Sequence, residues 1–395
     1  MRVWVIRAAV PTRCASTTGS EAGPARRRLL AAAAAAVALP GCALRPATPE
    51  PAPSPPTPPL PAPSAGSAPC AASAAPDPAP LVKPPRLRPG DAVGLFASAS
   101  RMTEPWIASA LASVQALGLR PKLAPNVRAV HGHYAGTVAQ RVDDLHALWA
   151  DPEVRALWSI RGGAGTAQLL PHLDYAAMRR DPKAVLGFSD LTALHLALLR
   201  HARLVSFHTL AGSSGFTPFS VQALRAVLMA PRDELRLERS PEHGQREASD
   251  PAYRTRTVRA GSAEGPLVGG NLSVLSALVG TPYAPQTEGA LLFLEDVGEL
   301  PYRIDRMLMQ LELAGLTSRA AGVVGGVFRD CEHPPQAPGM PLAQAIDSRF
   351  GAAGVPAVYG LSFGHVRDQL TLPVGVRARL DAGAQTLTLL EPAVA

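Results

Sequence analysis

The sequence is short of the features that mark several large protein classes. It has four cysteines, and only Cys331 lies beyond the proline-rich N-terminal quarter; Cys14, Cys42 and Cys70 lie within it. A disulfide framework is therefore not what holds the main body together. That body also lacks excess charge. Of 38 basic and 31 acidic residues, ten and three fall in residues 1–90, leaving 28 against 28. The basic balance belongs to the leader and tether, not to a basic binding face, so no nucleic-acid partner is expected. No apolar run is long enough to be a lasting membrane span. Arg161-Gly162-Gly163-Ala164-Gly165 is neither the G-x-G-x-x-G of dinucleotide sites nor a P-loop, since no Gly-Lys-Ser/Thr follows. Metal-ligand spacing is poor as well. His131-Gly132-His133 would put two imidazoles on one strand face, but no third ligand stands nearby. Cys331-Glu332-His333 are sequence neighbours, whereas a reactive Cys/His pair needs spatial proximity. No metal and no cofactor are expected.

The N-terminal quarter has its own logic. Arg26-Arg27-Arg28-Leu29-Leu30 precedes an Ala/Val run ending Leu39-Pro40-Gly41-Cys42. A basic region followed by a short apolar one reads as a signal peptide over 1–43. The arginine pair resembles a twin-arginine leader. Leu39 to Cys42 resembles a lipobox, with Cys42 as the lipidated residue and a possible lipid anchor to the membrane; cleavage after Ala43 fits as well. Residues 44–87 are rich in Pro, Ala and Ser without apolar periodicity, the composition of a disordered tether. The expected location is exported, on the periplasmic side; the alternative is an Ala-rich extension on a cytoplasmic protein.

About three hundred residues remain, enough for two domains. Strand and helix patterns alternate over 88–208, which predicts an α/β domain with a parallel sheet, flavodoxin- or Rossmann-like. Residues 209–261 are mixed and read as a connecting segment. A smaller, β-rich α/β domain is expected over 262–395, with the active site between the two. An amphipathic helix is expected around Ile304, Leu308 and Leu311, with Arg303 and Arg306 on its polar face.

Three short stretches carry chemistry. Gly187-Phe188-Ser189-Asp190, Leu292-Phe293-Leu294-Glu295-Asp296 and Phe363-Gly364-His365 each follow an apolar run that reads as a buried strand. Each sets a polar side chain just past a strand end, where open α/β sheets collect ligands. Ser189 as nucleophile, His365 as base and Glu295 as its orienting acid are the parts of a hydrolytic triad. The surroundings of Ser189 are not a G-x-S-x-G elbow, because Leu191 stands where the last glycine would be. Asp296 should point away from Glu295, and Glu299 reads as serving the next helix. The Gly162-Gly163 turn reads either as an oxyanion or carboxylate nest or as a plain tight turn.

Together with Ala135-Gly136-Thr137, Arg141, Asp144-Leu145, Gly269-Gly270-Asn271-Leu272 and Arg303 with Arg306, these pieces resemble the LD-carboxypeptidases, serine peptidases that include muramoyltetrapeptide carboxypeptidase and the microcin C immunity peptidase. The resemblance spans about Gly90 to the C-terminus. It implies Ser189, Glu295 and His365 as the catalytic residues and an oxyanion hole at Gly163 and Asp190. It makes Arg161, Gly162 and Asn271 substrate-binding candidates. It implies a murein-peptide substrate, cut between an L-centre and a terminal D-alanine, and a homodimer. Ala164 and Thr209 depart from the family pattern, which has a bulky aromatic and a Gly-Pro near those places. The alternatives are a related peptidase for another amide, such as a peptide-nucleotide antibiotic, and a non-catalytic, tethered binder of wall peptides.

Overall fold

The computed structural model describes residues 79–334 and 338–395. The signal segment, Cys42 and most of the expected tether lie outside the described residues. In chain order the strands are β1 (Ala92–Phe96), β2 (Arg120–Leu123), β3 (Val154–Ser159), β4 (Ala184–Gly187), β5 (Ser206–His208), β6 (Leu235–Leu237), β7 (Arg256–Arg259), β8 (Ser262–Asn271), β9 (Leu291–Val297), β10 (Gly322–Arg329), β11 (Ala357–Tyr359), β12 (Leu372–Val374), β13 (Arg377–Asp381) and β14 (Thr386–Leu389).

The first sheet runs β12-β5-β4-β3-β1-β2. Its five N-terminal strands are parallel, and β12 pairs antiparallel with β5. Every residue of β1 and β4 is buried, as expected of strands covered on both faces. The order 2-1-3-4-5 is flavodoxin-like. The chain crosses to opposite sides after β1 and β3, so the loops there diverge and open a crevice at the carboxyl ends. The second sheet runs β6-β14-β13-β8-β9-β10-β11-β7. Its centre, β8 to β11, is parallel, and its outer strands are antiparallel. Strand β13 alternates exposed and buried residues, the mark of a sheet with one wet face. With eight strands, this sheet is the wider of the two. The helix Pro301–Leu313 buries Ile304, Leu308 and Leu311, the stripe expected from the sequence.

The element boundaries differ from the expected ones in three places. The last residues of the expected tether pack against the body: the Val82 amide donates to the Arg203 carbonyl, Lys83 pairs with Glu391, and Leu87 is buried. The segment 209–261 is more than a connector, because it supplies β6 and β7 to the two edges of the second sheet. Strand β12, from the C-terminal part, returns to close the first sheet. These pairings join distant backbone, and no local pattern records which edge a short strand will reach. His131 and His133 lie in a tight turn rather than on one face of a strand. The His131 and Tyr134 backbones bond reciprocally around Gly132.

Candidate active site

Strand β4 ends at Gly187, and the chain then turns sharply. Phe188 is extended, while Ser189 has φ +62°, a left-handed conformation that a non-glycine residue adopts at a cost. A 3-10 turn, Ser189–Leu191, leads into the helix Thr192–Ala197. The turn therefore projects the Ser189 hydroxyl from the sheet edge. His195 braces it from below. Its Nε2 donates to the Gly187 carbonyl at 2.9 Å, and its Nδ1 accepts from the Ser206 hydroxyl at 2.8 Å. A carbonyl only accepts, so this tautomer is dictated by its partners. Burial pushes the His195 imidazole down to about 3, which keeps it neutral.

Strands β9 and β10 and the loop after β11 bring the other two groups to the same edge. His365 Nε2 lies 3.2 Å from Ser189 Oγ, and His365 Nδ1 lies 2.7 Å from Glu295 Oε2. Glu295 is fully buried. Burial alone would push its carboxyl up, but the charge and hydrogen bond of His365, with His208 behind, outweigh this and hold it below its usual value. An ionised Glu295 takes the Nδ1 proton as a hydrogen bond. Nε2 is then left with a lone pair facing the serine hydroxyl. Gly364 allows the approach: its φ is +107°, and a Cβ there would sit 2.9 Å from Glu295 Cβ.

The acidic neighbours of Glu295 are engaged elsewhere. Asp296 points the other way along β9, accepting from Ser273 N, Ser273 Oγ and Asn271 Nδ2 at 2.7–3.0 Å. Burial pushes its carboxyl up despite these bonds. Glu299 pairs with Arg303 at 2.8 Å.

The remaining expected site residues divide into two groups. Gly162 and Gly163 lie against the serine turn. A Cβ on Gly162 would be 3.0 Å from Ser189 Cβ and 3.5 Å from the Asp190 amide nitrogen. Arg161 is exposed beside the cleft, its guanidinium 3.9 Å over the Trp106 ring. Asp190 turns its carboxylate away from the cleft to accept from the Thr166 amide at 2.8 Å, tying the glycine turn to the serine turn. Burial pushes that carboxyl up, against those hydrogen bonds and nearby Arg141. Asn271 is buried rather than presented to a ligand. Its Oδ1 caps the helix Leu272–Ala277 at Val274 N, and its Nδ2 holds Asp296. Cys331 is buried, donates its thiol to the Arg329 carbonyl, and is pushed up to about 12 by burial, so it offers no thiolate. Among the described residues, no three His, Cys, Asp or Glu side chains gather as metal ligands.

Several cleft residues had no sequence signal. The crevice is a cavity of about 750 Å³ that includes Ser100, Arg101, Trp106 and Ser213 with the glycine turn, Ser189 and His365. A second cavity of about 370 Å³ adjoins it. His208 is also new. It is buried, neither ring nitrogen has a partner among the described residues, and Phe188, Phe293 and Phe363 surround it edge-on. Each of those rings lies one or two residues before Ser189, Glu295 or His365. Burial pushes His208 down to about 4.

A two-sheet α/β fold carrying a serine, an imidazole and a buried carboxylate in one hydrogen-bonded line defines the class of serine hydrolases. The family models narrow this. The LD-carboxypeptidase N-terminal domain matches residues 93–209 and the C-terminal domain residues 264–380. The chain belongs to the LD-carboxypeptidase family and is a serine-type carboxypeptidase. It is 36% identical over 307 residues to a probable murein peptide carboxypeptidase of Bacillus subtilis (strain 168), covering 78% of this chain and 94% of that protein. It resembles the crystal structure of muramoyltetrapeptide carboxypeptidase from Oxalobacter formigenes, with TM-score 0.66 and 27% identity, covering 75% of this chain and 97% of that one. The microcin C7 self-immunity protein MccF of Escherichia coli, solved with glutamyl sulfamoyl guanosine, shares the fold: TM-score 0.71 at 21% identity, covering 80% of this chain and all of that one.

Proposed function

We propose that this chain is an LD-carboxypeptidase of murein peptides, which releases the terminal D-alanine of a tetrapeptide by a Ser189–His365–Glu295 triad. The observation that carries this reading is the line of contacts, 3.2 Å from Ser189 Oγ to His365 Nε2 and 2.7 Å from His365 Nδ1 to Glu295 Oε2. Ser189 Oγ attacks the amide carbonyl and its proton passes to Nε2. The carbonyl oxygen becomes an oxyanion, held by the amides of Gly163 and Asp190. His365 then gives the proton to the departing amine as the C–N bond breaks. Water, deprotonated by His365, releases the acyl group and restores Ser189. Glu295 keeps Nδ1 protonated and stabilises the cationic imidazole throughout. The substrate class follows the murein carboxypeptidases among the relatives. Export by the leader and anchoring through Cys42 would place the enzyme beside the cell wall, and a homodimer is its expected assembly.

The test is incubation of purified protein with a murein tetrapeptide, read by mass spectrometry for tripeptide and D-alanine. Ser189→Ala should lower kcat by about 10⁶ with the fold unchanged. Retention of a tenth of the rate would remove Ser189 from its role. The triad supplies nucleophile and base from side chains alone, so EDTA should leave the rate unchanged. Activity lost to EDTA and restored by Zn²⁺ would overturn the mechanism. Turnover of an aminoacyl-nucleotide amide with none of the tetrapeptide would favour the alternative that MccF represents.

A further inference from the structure

The cleft at Ser189 is divided in two. The larger cavity contains Ser189 and the Gly162-Gly163 turn. The smaller does not reach Ser189. It is walled by Leu210, Phe216 and Val366, with Arg329 and Arg367 also lining it. Phe188 and His365, with ring centroids 4.7 Å apart, line both cavities and form the ridge between them. Resting on the function proposed above, we infer that the smaller cavity receives the leaving amino acid and that Arg367 and Arg329 grip its free carboxylate.

The chemistry assigns the two sides. When Ser189 Oγ bonds to the carbonyl carbon, the acyl chain must remain in the cavity that contains Ser189. The nitrogen whose bond breaks must receive its proton from His365 Nε2, so the departing residue lies on the imidazole side. The smaller cavity opens from His365 and not from Ser189. At about 370 Å³ it has half the room of its neighbour, which suits one small residue. Its apolar wall suits a short aliphatic side chain. Apart from the imidazole, the charge-bearing side chains lining it are two arginines, with no carboxylate among them.

A free terminal carboxylate distinguishes a C-terminal residue from an internal one, and guanidinium is the group best shaped to bind it in a bidentate way. Arg329 is held in place: Nη1 donates to the His365 carbonyl at 3.2 Å and Nε pairs with Asp330 at 3.2 Å. Arg367 is mostly exposed, and among the described residues its one ion-pair contact is Glu242 at 4.0 Å, so it is available to close on a ligand. Arg101 and Arg161 line the larger cavity instead, against the acyl part of the substrate. Among the described residues, neither is ion-paired with an acidic side chain.

Binding measured without turnover tests this. The full chain carrying Ser189→Ala is titrated calorimetrically with N-acetyl-L-lysyl-D-alanine as the free acid and as its C-terminal amide. The free acid should bind at least about tenfold tighter, the worth of one charge-assisted pairing. Adding Arg367→Gln should erase that preference, and Arg101→Gln should preserve it. Arg329→Gln, which also touches the His365 backbone, should weaken the preference too. Equal binding of acid and amide would overturn the assignment. So would a preference that survives both Arg367→Gln and Arg329→Gln, or one that disappears with Arg101→Gln. The function falls separately, if the unsubstituted enzyme releases no D-alanine from the tetrapeptide. The binding ratio still reads the subsite in that case.

Discussion

At the scale of single residues, Glu295 and Asp296 are chemically alike, adjacent and both buried, yet they do different things. Strand alternation sends Glu295 toward His365 and Asp296 toward Ser273 and Asn271. Glu295→Gln should lower kcat by about 10⁴, the scale at which an orienting acid acts, while leaving the melting temperature close to wild type. Asp296→Asn should do the reverse. It removes a charged acceptor from four donors and should cost on the order of 1–3 kcal/mol of stability, with the rate little changed. Parallel kinetics and urea unfolding on the two variants separate the roles. A dead Asp296→Asn beside an active Glu295→Gln would mean the acid is misassigned. The signal for Glu295 was present in the chain as a polar residue closing an apolar run. His208 also closes a short buried strand, but its isolation in an aromatic cage was not legible, because it depends on rings from three separate segments.

At the scale of elements, the site joins the turns that carry Ser189 and His365 to a carboxylate that lies inside β9 rather than past its end, the place the sequence pattern predicts. The loop after β11 must carry His365 over Glu295, and Gly364 sits at the crossing point. Gly364→Ala combines an unfavourable φ of +107° with a Cβ 2.9 Å from Glu295 Cβ and 3.0 Å from the Val327 carbonyl oxygen. The turn has to shift and take the imidazole with it. The expected result is a fall of at least about a hundredfold in kcat, since small misplacements of a catalytic group cost that much. A modest fall in melting temperature should accompany it. Full activity in Gly364→Ala would show that the loop tolerates the displacement. The strand-turn-helix at Ser189 and the helix Pro301–Leu313 were legible from apolar periodicity. Strands β6, β7 and β12 were not, since each is only three or four residues long and is stabilised by the edge it joins.

At the scale of the whole molecule, three buried imidazoles tie stability to pH: His195, His208 and His243, which burial pushes down in the same sense. His195 and His208 have folded values of about 3 and about 4 against 6.5 for the free side chain. Below 6.5 the unfolded chain binds protons that the folded chain refuses, so stability falls as pH drops from 6.5 toward those values. Asp144, Asp190 and Asp296 are held above the usual 3.8 and act in the opposite sense nearer that pH. Urea unfolding from pH 7 to 5 should therefore show declining stability, with a shallower slope in His208→Phe. An unchanged slope in that variant would rule His208 out as a source. The N-terminal quarter sets a separate expectation. With export and lipidation, Cys42→Ala should move the protein from the membrane fraction to the soluble periplasm. Recovery of the wild-type protein from the cytoplasm with Met1 intact would refute the leader.

The chain alone determined the α/β class, the parallel character of the buried strands and the three side chains proposed to react. All of these are local matters of periodicity, burial and residue chemistry at strand ends. It also carried the family motifs. Only the tertiary structure decided which sheet edges the short strands close, that Asn271 braces β9 instead of facing a ligand, and that Val82, Lys83 and Leu87 pack against the body. It alone also divided the cleft at Phe188 and His365. The physical reason is that these depend on backbone or side chains from separate elements, from 25 residues apart for Asn271 and Asp296 to more than a hundred for Val82 and Arg203, and no local pattern encodes such a partner.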